Sequence, residues 1–441
     1  MSEVQLWAGA ECSVVRVGDT YVDEIVRTGH HTREDDLDRL AGLGARAVRF
    51  PVLWERTAPD GLARADWSWA DERLARLHRL GLQPIVGLVH HGSGPRSASL
   101  LEGGFVDGLA DFARAVAERY PWVRDFTPVN EPVTTARFSA LYGHWYPHAR
   151  SPASFVDALV TECEATCAAM RAIRAILPDA RLVQTEDVGT AFSTPHLGYQ
   201  ADFENQRRFL SLDLLAGRVD RRHPLRAHLL AHGAREARLD ALVQAPCPPD
   251  VIGANYYVTS DRFLDERAER YPPHTRGGNG RDTYADVEAV RVRRDGILGH
   301  RKILQALWER YRLPLALTEV HLGCAPEEQV RWLAEAWRSA EEARRGGVDV
   351  RAVTVWSAFG AYDWDSLLTE DRGHYEPGLF DVRGERLEAT PLAEVARALA
   401  EHGEIRHPAL ASAGWWHHAE RFAYPPVGVG PEASDARAWA A

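Results

Sequence analysis

Cysteine is scarce in this chain: five residues in 441, scattered without regular spacing. An odd, irregular set builds no disulfide framework and points to a reducing compartment. Cys163 and Cys167 sit four apart on a predicted helix; two ligands are too few for zinc, so both read as buried apolar residues. No apolar run approaches the roughly twenty residues of a membrane span. The N-terminus lacks a basic segment followed by an apolar stretch, so no signal peptide is read and the expected location is cytoplasmic. Basic residues are outnumbered, 52 against 63, for a net charge of −11. That balance argues against nucleic acid as the main partner. A Gly-rich dinucleotide fingerprint is also missing.

What is present is ordinary globular composition, 45% hydrophobic and 26% charged. Near-continuous apolar runs alternate with helical patterns. The runs cover Val4 to Ala10, Ala45 to Val52, Gln83 to Val89, the stretch from Asp125 to Pro132, Arg181 to Thr185, Asp250 to Asn255, the run from Leu315, and Val350 to Ser357. Between them, helices are predicted over Asp36 to Leu43, Ala70 to Leu80, Val106 to Glu118, Pro152 to Leu177, Gly299 to Tyr311 and Glu327 to Arg345. Strands of this kind are parallel and buried on both faces. Eight such units suggest a closed (β/α)8 TIM barrel of the α/β class, with an open doubly wound sheet as the alternative. The barrel is expected over residues 1–402, as one domain with loop insertions. A tail over 403–441 is expected to wrap it or to behave as a linker, ending in a frayed terminus. The polar stretch Arg262 to Arg294 reads as a long loop over the sixth strand's tip, a lid or substrate rim.

The chemistry concentrates at strand tips. Asp125-Phe126-Thr127-Pro128-Val129-Asn130-Glu131-Pro132 ends at a proline that stops a strand, leaving Asn130 and Glu131 at its C-terminal end. Glu319 holds the same kind of position in Leu315-Ala316-Leu317-Thr318-Glu319. Barrel enzymes carry their catalytic groups at these ends. Two carboxyls facing one sugar ring can cleave a glycosidic bond, one as acid and the other as nucleophile. A phenol of the Tyr256-Tyr257 pair, on the neighbouring strand, would keep Glu319 ionised. Glu319 is therefore assigned as nucleophile and Glu131 as acid/base. Asn130 is placed to donate to a sugar 2-hydroxyl, and His91 to bond a sugar hydroxyl. Trp356 and Trp364 are placed to pack on the sugar's apolar face, and Asp363 to hold outer hydroxyls. A metal-dependent hydrolase built on His90 and His91 needs more ligands at strand tips than the sequence offers.

Taken in order, these segments resemble glycoside hydrolase family 1, the β-glucosidase type, from about Leu6 to Leu399. Thr127 to Pro132 is similar to that family's T-x-N-E-P, and Leu317-Thr318-Glu319-Val320-His321 to its (I/V)-T-E-N-G. Ile252-Gly253-Ala254-Asn255-Tyr256-Tyr257 resembles G-x-N-Y-Y, which implies Tyr257 as the tyrosine beside the nucleophile and Asn255 as a substrate-binding residue. Val355-Trp356-Ser357 through Trp364 resembles W-S-L-L-D-N-F-E-W, and Gly378 to Val382 the family's next segment. Leu88 to Pro95 resembles L-x-H-W-D-x-P, placing His91 on the sugar-binding histidine. Glu11 stands about where the family has a hydroxyl-binding Gln. The resemblance implies a retaining β-glycosidase needing no cofactor or metal, acting on a small glycoside or oligosaccharide through a covalent intermediate. The departures (Val320-His321 for Asn-Gly, Gly92-Ser93 for Trp-Asp, Asp363 for Glu) imply a rebuilt glycone pocket. The whole chain, with its Trp415-Trp416 tail, also resembles a branch often fused to a dTDP-dehydrorhamnose-reductase-like domain. That implies a sugar-nucleotide reductase partner, and as the second reading a sugar-binding protein or transglycosidase serving it.

Overall fold

The computed structural model describes residues 3–428. Eight parallel strands close into a barrel: β1 Gln5–Gly9, β2 Ala47–Pro51, β3 Gln83–His90, β4 Asp125–Asn130, β5 Arg181–Asp187, β6 Val251–Asn255, β7 Leu315–Val320 and β8 Val350–Val355. Pairing runs in chain order, and β1 closes the ring against β8. The expected barrel is the observed one, because each apolar run is sheathed on both faces. All six residues of β4 and all six of β7 are buried.

The barrel's interior has two kinds of filling. A separate apolar cluster of Trp7, Ala47, Ile85, Val183, Val251, Ala316 and Ala352 draws one residue from every strand except β4. Toward the C-terminal ends the buried side chains turn polar: Arg49, Thr127, Thr185, Asn255 and Thr318. Gly253 is required in this layer. A Cβ there would lie 2.5 Å from the Thr318 hydroxyl and 2.7 Å from the Thr185 methyl, so only glycine lets β5, β6 and β7 come together.

Four helices brace the site and the tail: α1 Pro132–Ala136, α2 Pro152–Arg174, α3 Leu210–Leu215 and α4 Pro326–Arg345. Helix α4 starts with proline in its first turn, carries Glu327 and Glu328 there, and ends on Arg344 and Arg345. Each of these features suits the helix dipole or its unpaired end groups. Cys163 and Cys167 lie on α2, buried as expected, and all five cysteines are free thiols. Among the described residues no helix is long and apolar enough to cross a membrane.

The stretch 262–294 is not a plain loop. Arg262–Asp265, Arg276–Gly278 and Thr283–Glu288 form a four-stranded sheet with Ala191–Ser193. Phe263, Ala285 and Val287 pack with Tyr271, Ala289 and Val292 into a core of their own. Each strand is too short, and too rich in charge between its apolar residues, for the pattern to be plain in sequence.

Beyond residue 402 the chain runs along α4. Trp416 is fully buried, meets Trp332 edge-on at 5.0 Å and donates from Nε1 to Glu335 at 2.9 Å. The expected frayed end lies outside the described residues. Removing a fully buried tryptophan costs about 3–5 kcal/mol. Trp416→Ala should therefore lower the urea midpoint by that much stability at unchanged m, measured by equilibrium unfolding.

Candidate active site

The tips of β3, β4, β6 and β7 converge on one hydrogen-bonded network. Strand register brings His90 beside Asn130 and Asn255 beside Glu319. Two side chains then cross-link the carboxyl-bearing tips. Arg49, on β2, donates from Nη1 to Glu319 Oε1 at 2.7 Å and from Nη2 to Asn130 Oδ1 at 2.7 Å. Asn255 donates from Nδ2 to Glu131 Oε1 at 2.5 Å, while its Oδ1 accepts from the Thr318 hydroxyl at 2.6 Å. Each link thus joins one carboxyl to the residue preceding the other. The Tyr257 hydroxyl donates to Glu319 Oε2 in a short hydrogen bond.

Glu131 has φ 45° and ψ 65°, the left-handed region, and His91, Ser357 and Asp363 share positive φ. Such conformations cost about 1–3 kcal/mol each in non-glycine residues and gather at functional sites. All four follow strand ends, where the chain must turn sharply while presenting a side chain.

Electrostatics separates the two carboxyls. Burial, then the charge of Glu319, pushes Glu131 well above the usual carboxylate range. Burial also raises Glu319, but the Arg49 guanidinium and the Tyr257 hydroxyl oppose it. With a cation on one side only, a proton shared between them resides on Glu131. His91 Nε2 lies 3.8 Å from Glu131 Oε2, and burial, with Arg49 nearby, lowers His91 to about 3. The imidazole is therefore neutral and offers a hydrogen bond rather than a charge.

Of the residues expected at the site, Glu131, Glu319, Tyr257, Asn130, Asn255 and His91 are brought together. The Asn130 amide is already committed: Oδ1 also accepts from the Thr185 hydroxyl at 2.6 Å, and Nδ2 faces His90 and His91 Nε2 at 3.3 and 3.4 Å. Trp364 is half-buried, with its ring 5.8 Å from His91.

Trp356 takes a different place from the one expected. It is 1% exposed, stacked on His90 at 5.4 Å, with the Arg49 guanidinium 4.3 Å from its ring. No face is left for a sugar; the indole is a floor supporting the network. Gly9 lies beneath it, where a Cβ would come within 2.5 Å of the ring. Glu11 is tied to that floor, its Oε2 accepting from Trp356 Nε1 at 3.0 Å and its Oε1 from the Ser13 amide and hydroxyl at 2.8 and 2.6 Å.

Asp363 is likewise not turned to outer hydroxyls. It is fully buried and accepts from Arg27 and from the amides of His374, Arg372 and Gly373. Burial opposes its charge, yet Arg27 and those amides bring it down to about 2. One methylene shorter than glutamate, its carboxyl stays within its own loop.

Three site residues escaped the sequence reading. Arg49 interrupts the apolar run ARAVRFPV, and a charge inside a fully buried strand was the available signal. Glu24 is fully buried, accepts from the Tyr362 amide at 2.7 Å and from Arg27, and is pushed to about 8 by burial and by Glu11. Nothing in its local sequence signals this. Glu186 sits in the fifth strand beside Thr185. Among the described residues no three His, Cys, Asp or Glu side chains group as metal ligands do.

Comparison with known proteins identifies the family of this barrel. The glycosyl hydrolase family 1 model matches residues 11–375. The chain belongs to glycosyl hydrolase family 1. It is a glycoside hydrolase acting on O-glycosyl bonds. The bifunctional β-D-glucosidase/β-D-fucosidase of Bifidobacterium breve is 26% identical over 404 residues, 79% of this chain and 82% of that protein. The 6-phospho-β-glucosidase of Dickeya chrysanthemi is 23% identical over 374 residues, 77% of each chain. The β-glucosidase from Thermotoga maritima in complex with deoxynojirimycin shares the fold with a TM-score of 0.72 at 18% identity, over 92% of this chain and 99% of that one. In this chain Arg49 is the cation bonded to Glu319. Arg49→Met should raise the Glu319 titration by at least one pH unit, read by carbon-13 NMR of labelled glutamates in the folded variant.

Proposed function

We propose that this family-1 enzyme is a retaining β-glycosidase working by double displacement. Glu319 attacks the anomeric carbon, forming a glycosyl ester, while Glu131 gives its proton to the departing oxygen. Ester formation removes the negative charge of Glu319. Glu131 then loses its largest charged neighbour, its proton affinity falls, and it can take a proton from the water that hydrolyses the ester. The observation that carries this reading is the asymmetry of the two carboxyls: Glu319 holds Arg49 and Tyr257, and Glu131 holds only neutral donors.

The glycone pocket is read as rebuilt. In support, a Cβ at Gly92 would meet Glu55 Oε1 at 1.9 Å, so the Glu55 carboxyl occupies the space that a larger residue there would need. The Asp363 carboxyl stays in its loop with Arg27. A glycone other than unmodified glucose fits such a pocket. The unpaired cysteines suit a cytoplasmic location, and a sugar-nucleotide reductase is the partner class proposed from the sequence resemblance. The second reading, a weakly catalytic sugar binder or transglycosidase serving that reductase, draws on the same inward-turned Asp363. Labelling with a 2-fluoro glycosyl fluoride separates them, because a pure binder leaves Glu319 unmodified.

Screening nitrophenyl glycosides identifies a substrate. On it, Glu319→Gln should lower kcat by more than about 10⁴-fold. Glu131→Ala should keep activity on dinitrophenyl glycosides, lose it on poor leaving groups, and recover with azide. Wild-type rates for Glu319→Gln on every active substrate would remove the assignment.

A further inference from the structure

Glu186, next to last in β5, has no part in the roles assigned above. Its carboxyl is completely buried, and the groups acting on it are the Ser211 hydroxyl, the Val133 and Thr134 amides and the Asp187 charge. Oε2 accepts from the Val133 amide at 2.9 Å and from the Ser211 hydroxyl of α3 at 2.6 Å. Oε1 lies 3.4 Å from both the amide and the hydroxyl of Thr134. Val133 and Thr134 lie in the first turn of α1, which Pro132 opens directly after Glu131. The neighbouring Thr185 carbonyl accepts from the Glu131 amide at 3.2 Å. Strand β5 therefore grips the left-handed turn at Glu131 from both sides, through one carbonyl and one carboxyl.

The surroundings explain why a carboxyl is informative here. An amide acceptor would satisfy the same backbone donors without a buried charge, whose burial costs several kcal/mol when unpaired. The charged and titratable groups facing Glu186 are few. From α2 comes Glu162, buried with neither oxygen hydrogen-bonded, and beside it Cys163. From the strand tips come Glu131 and Asp187. Helices α1 and α3 contribute amides and hydroxyls. Arg208, beyond Asp187, gives its guanidinium to the Val188 carbonyl at 3.0 Å and to the Thr190 hydroxyl. The negative charge of Glu186 is thus felt mainly by other acids.

We infer that Glu186 is a positioning residue for the acid/base: its carboxyl, through Val133 and Thr134, locks the left-handed turn that presents Glu131. The inference rests on the reading of Glu131 as acid/base. Unlike the charge of Glu319, that of Glu186 survives formation of the glycosyl ester, so it also strengthens Glu131 as a base in the second step. Burial brings Glu186 to about 7, and its charge is among those raising Glu131. Its ionisation in that range adds a negative neighbour just where Glu131 must keep its proton. Removing the charge lets Glu131 deprotonate at lower pH.

The test is Glu186→Gln, which keeps an acceptor for Val133 and Thr134, beside Glu186→Ala, which does not. In Glu186→Gln the alkaline limb of kcat/KM should move down by about one pH unit. Turnover of poor leaving groups should fall about tenfold while dinitrophenyl glycosides change little. Carbon-13 NMR titration of Glu131, assigned with Glu131→Gln, should move the same way whether or not a substrate is known. An unmoved Glu131 titration in Glu186→Gln overturns the electrostatic bias. Equal losses for all leaving groups in Glu186→Ala, with no shift in Glu186→Gln, reduce Glu186 to scaffolding and overturn the inference. Failure of the glycosidase reading would show separately, as wild-type turnover in Glu319→Gln.

Discussion

The arrangement depends on one buried guanidinium. Arg49 stands inside the barrel, on the indole of Trp356, and donates to Glu319 and to Asn130. Burial pushes both carboxyls above the usual carboxylate range. Arg49 and Tyr257 oppose that rise at Glu319 alone, and this asymmetry is what the proposed double displacement rests on. The floor of Trp356, His90 and Glu11 supports that guanidinium: the indole lies under it, the His90 imidazole stacks on the indole, and Glu11 fixes the indole by its Nε1.

Around this pair the barrel solves a second problem, which is direction. Parallel strands end with their side chains splayed, and a carboxyl must be turned back over the mouth. The left-handed turn at Glu131 does so, and β5 stabilises it through the Thr185 carbonyl and the Glu186 carboxyl. Gly253 in β6 removes the side chain that would keep β5 and β7 apart. Strain, charge and close approach are concentrated in the same few residues, and the apolar cluster below them and the helices outside supply the stability to hold them.

The chain order of apolar runs and helical patterns made the (β/α)8 barrel legible, because a two-sided buried strand has an unmistakable composition. Glu131, Glu319, Tyr257 and Asn255 were legible as well, each lying at a strand end in a recognisable segment. Asp363 and Trp356 show the limit of that method. Both stand in matching segments, yet a one-methylene difference keeps the first on Arg27, and the stacking of His90 and Arg49 covers the second. The small sheet built from 262–294 was hidden because each of its strands is short and mixed with charge, and its edge partner Ala191–Ser193 lies about 70 residues upstream.

Local chemistry alone therefore determined which strands form, where they stop and which acids stand at their ends, since those depend on periodicity and on prolines. The tertiary structure decided which acid has a cation and a phenol beside it, because Arg49 and Tyr257 reach Glu319 across 270 and 62 residues of chain. Charge interactions act through space, and sequence separation carries no information about them until the barrel has closed.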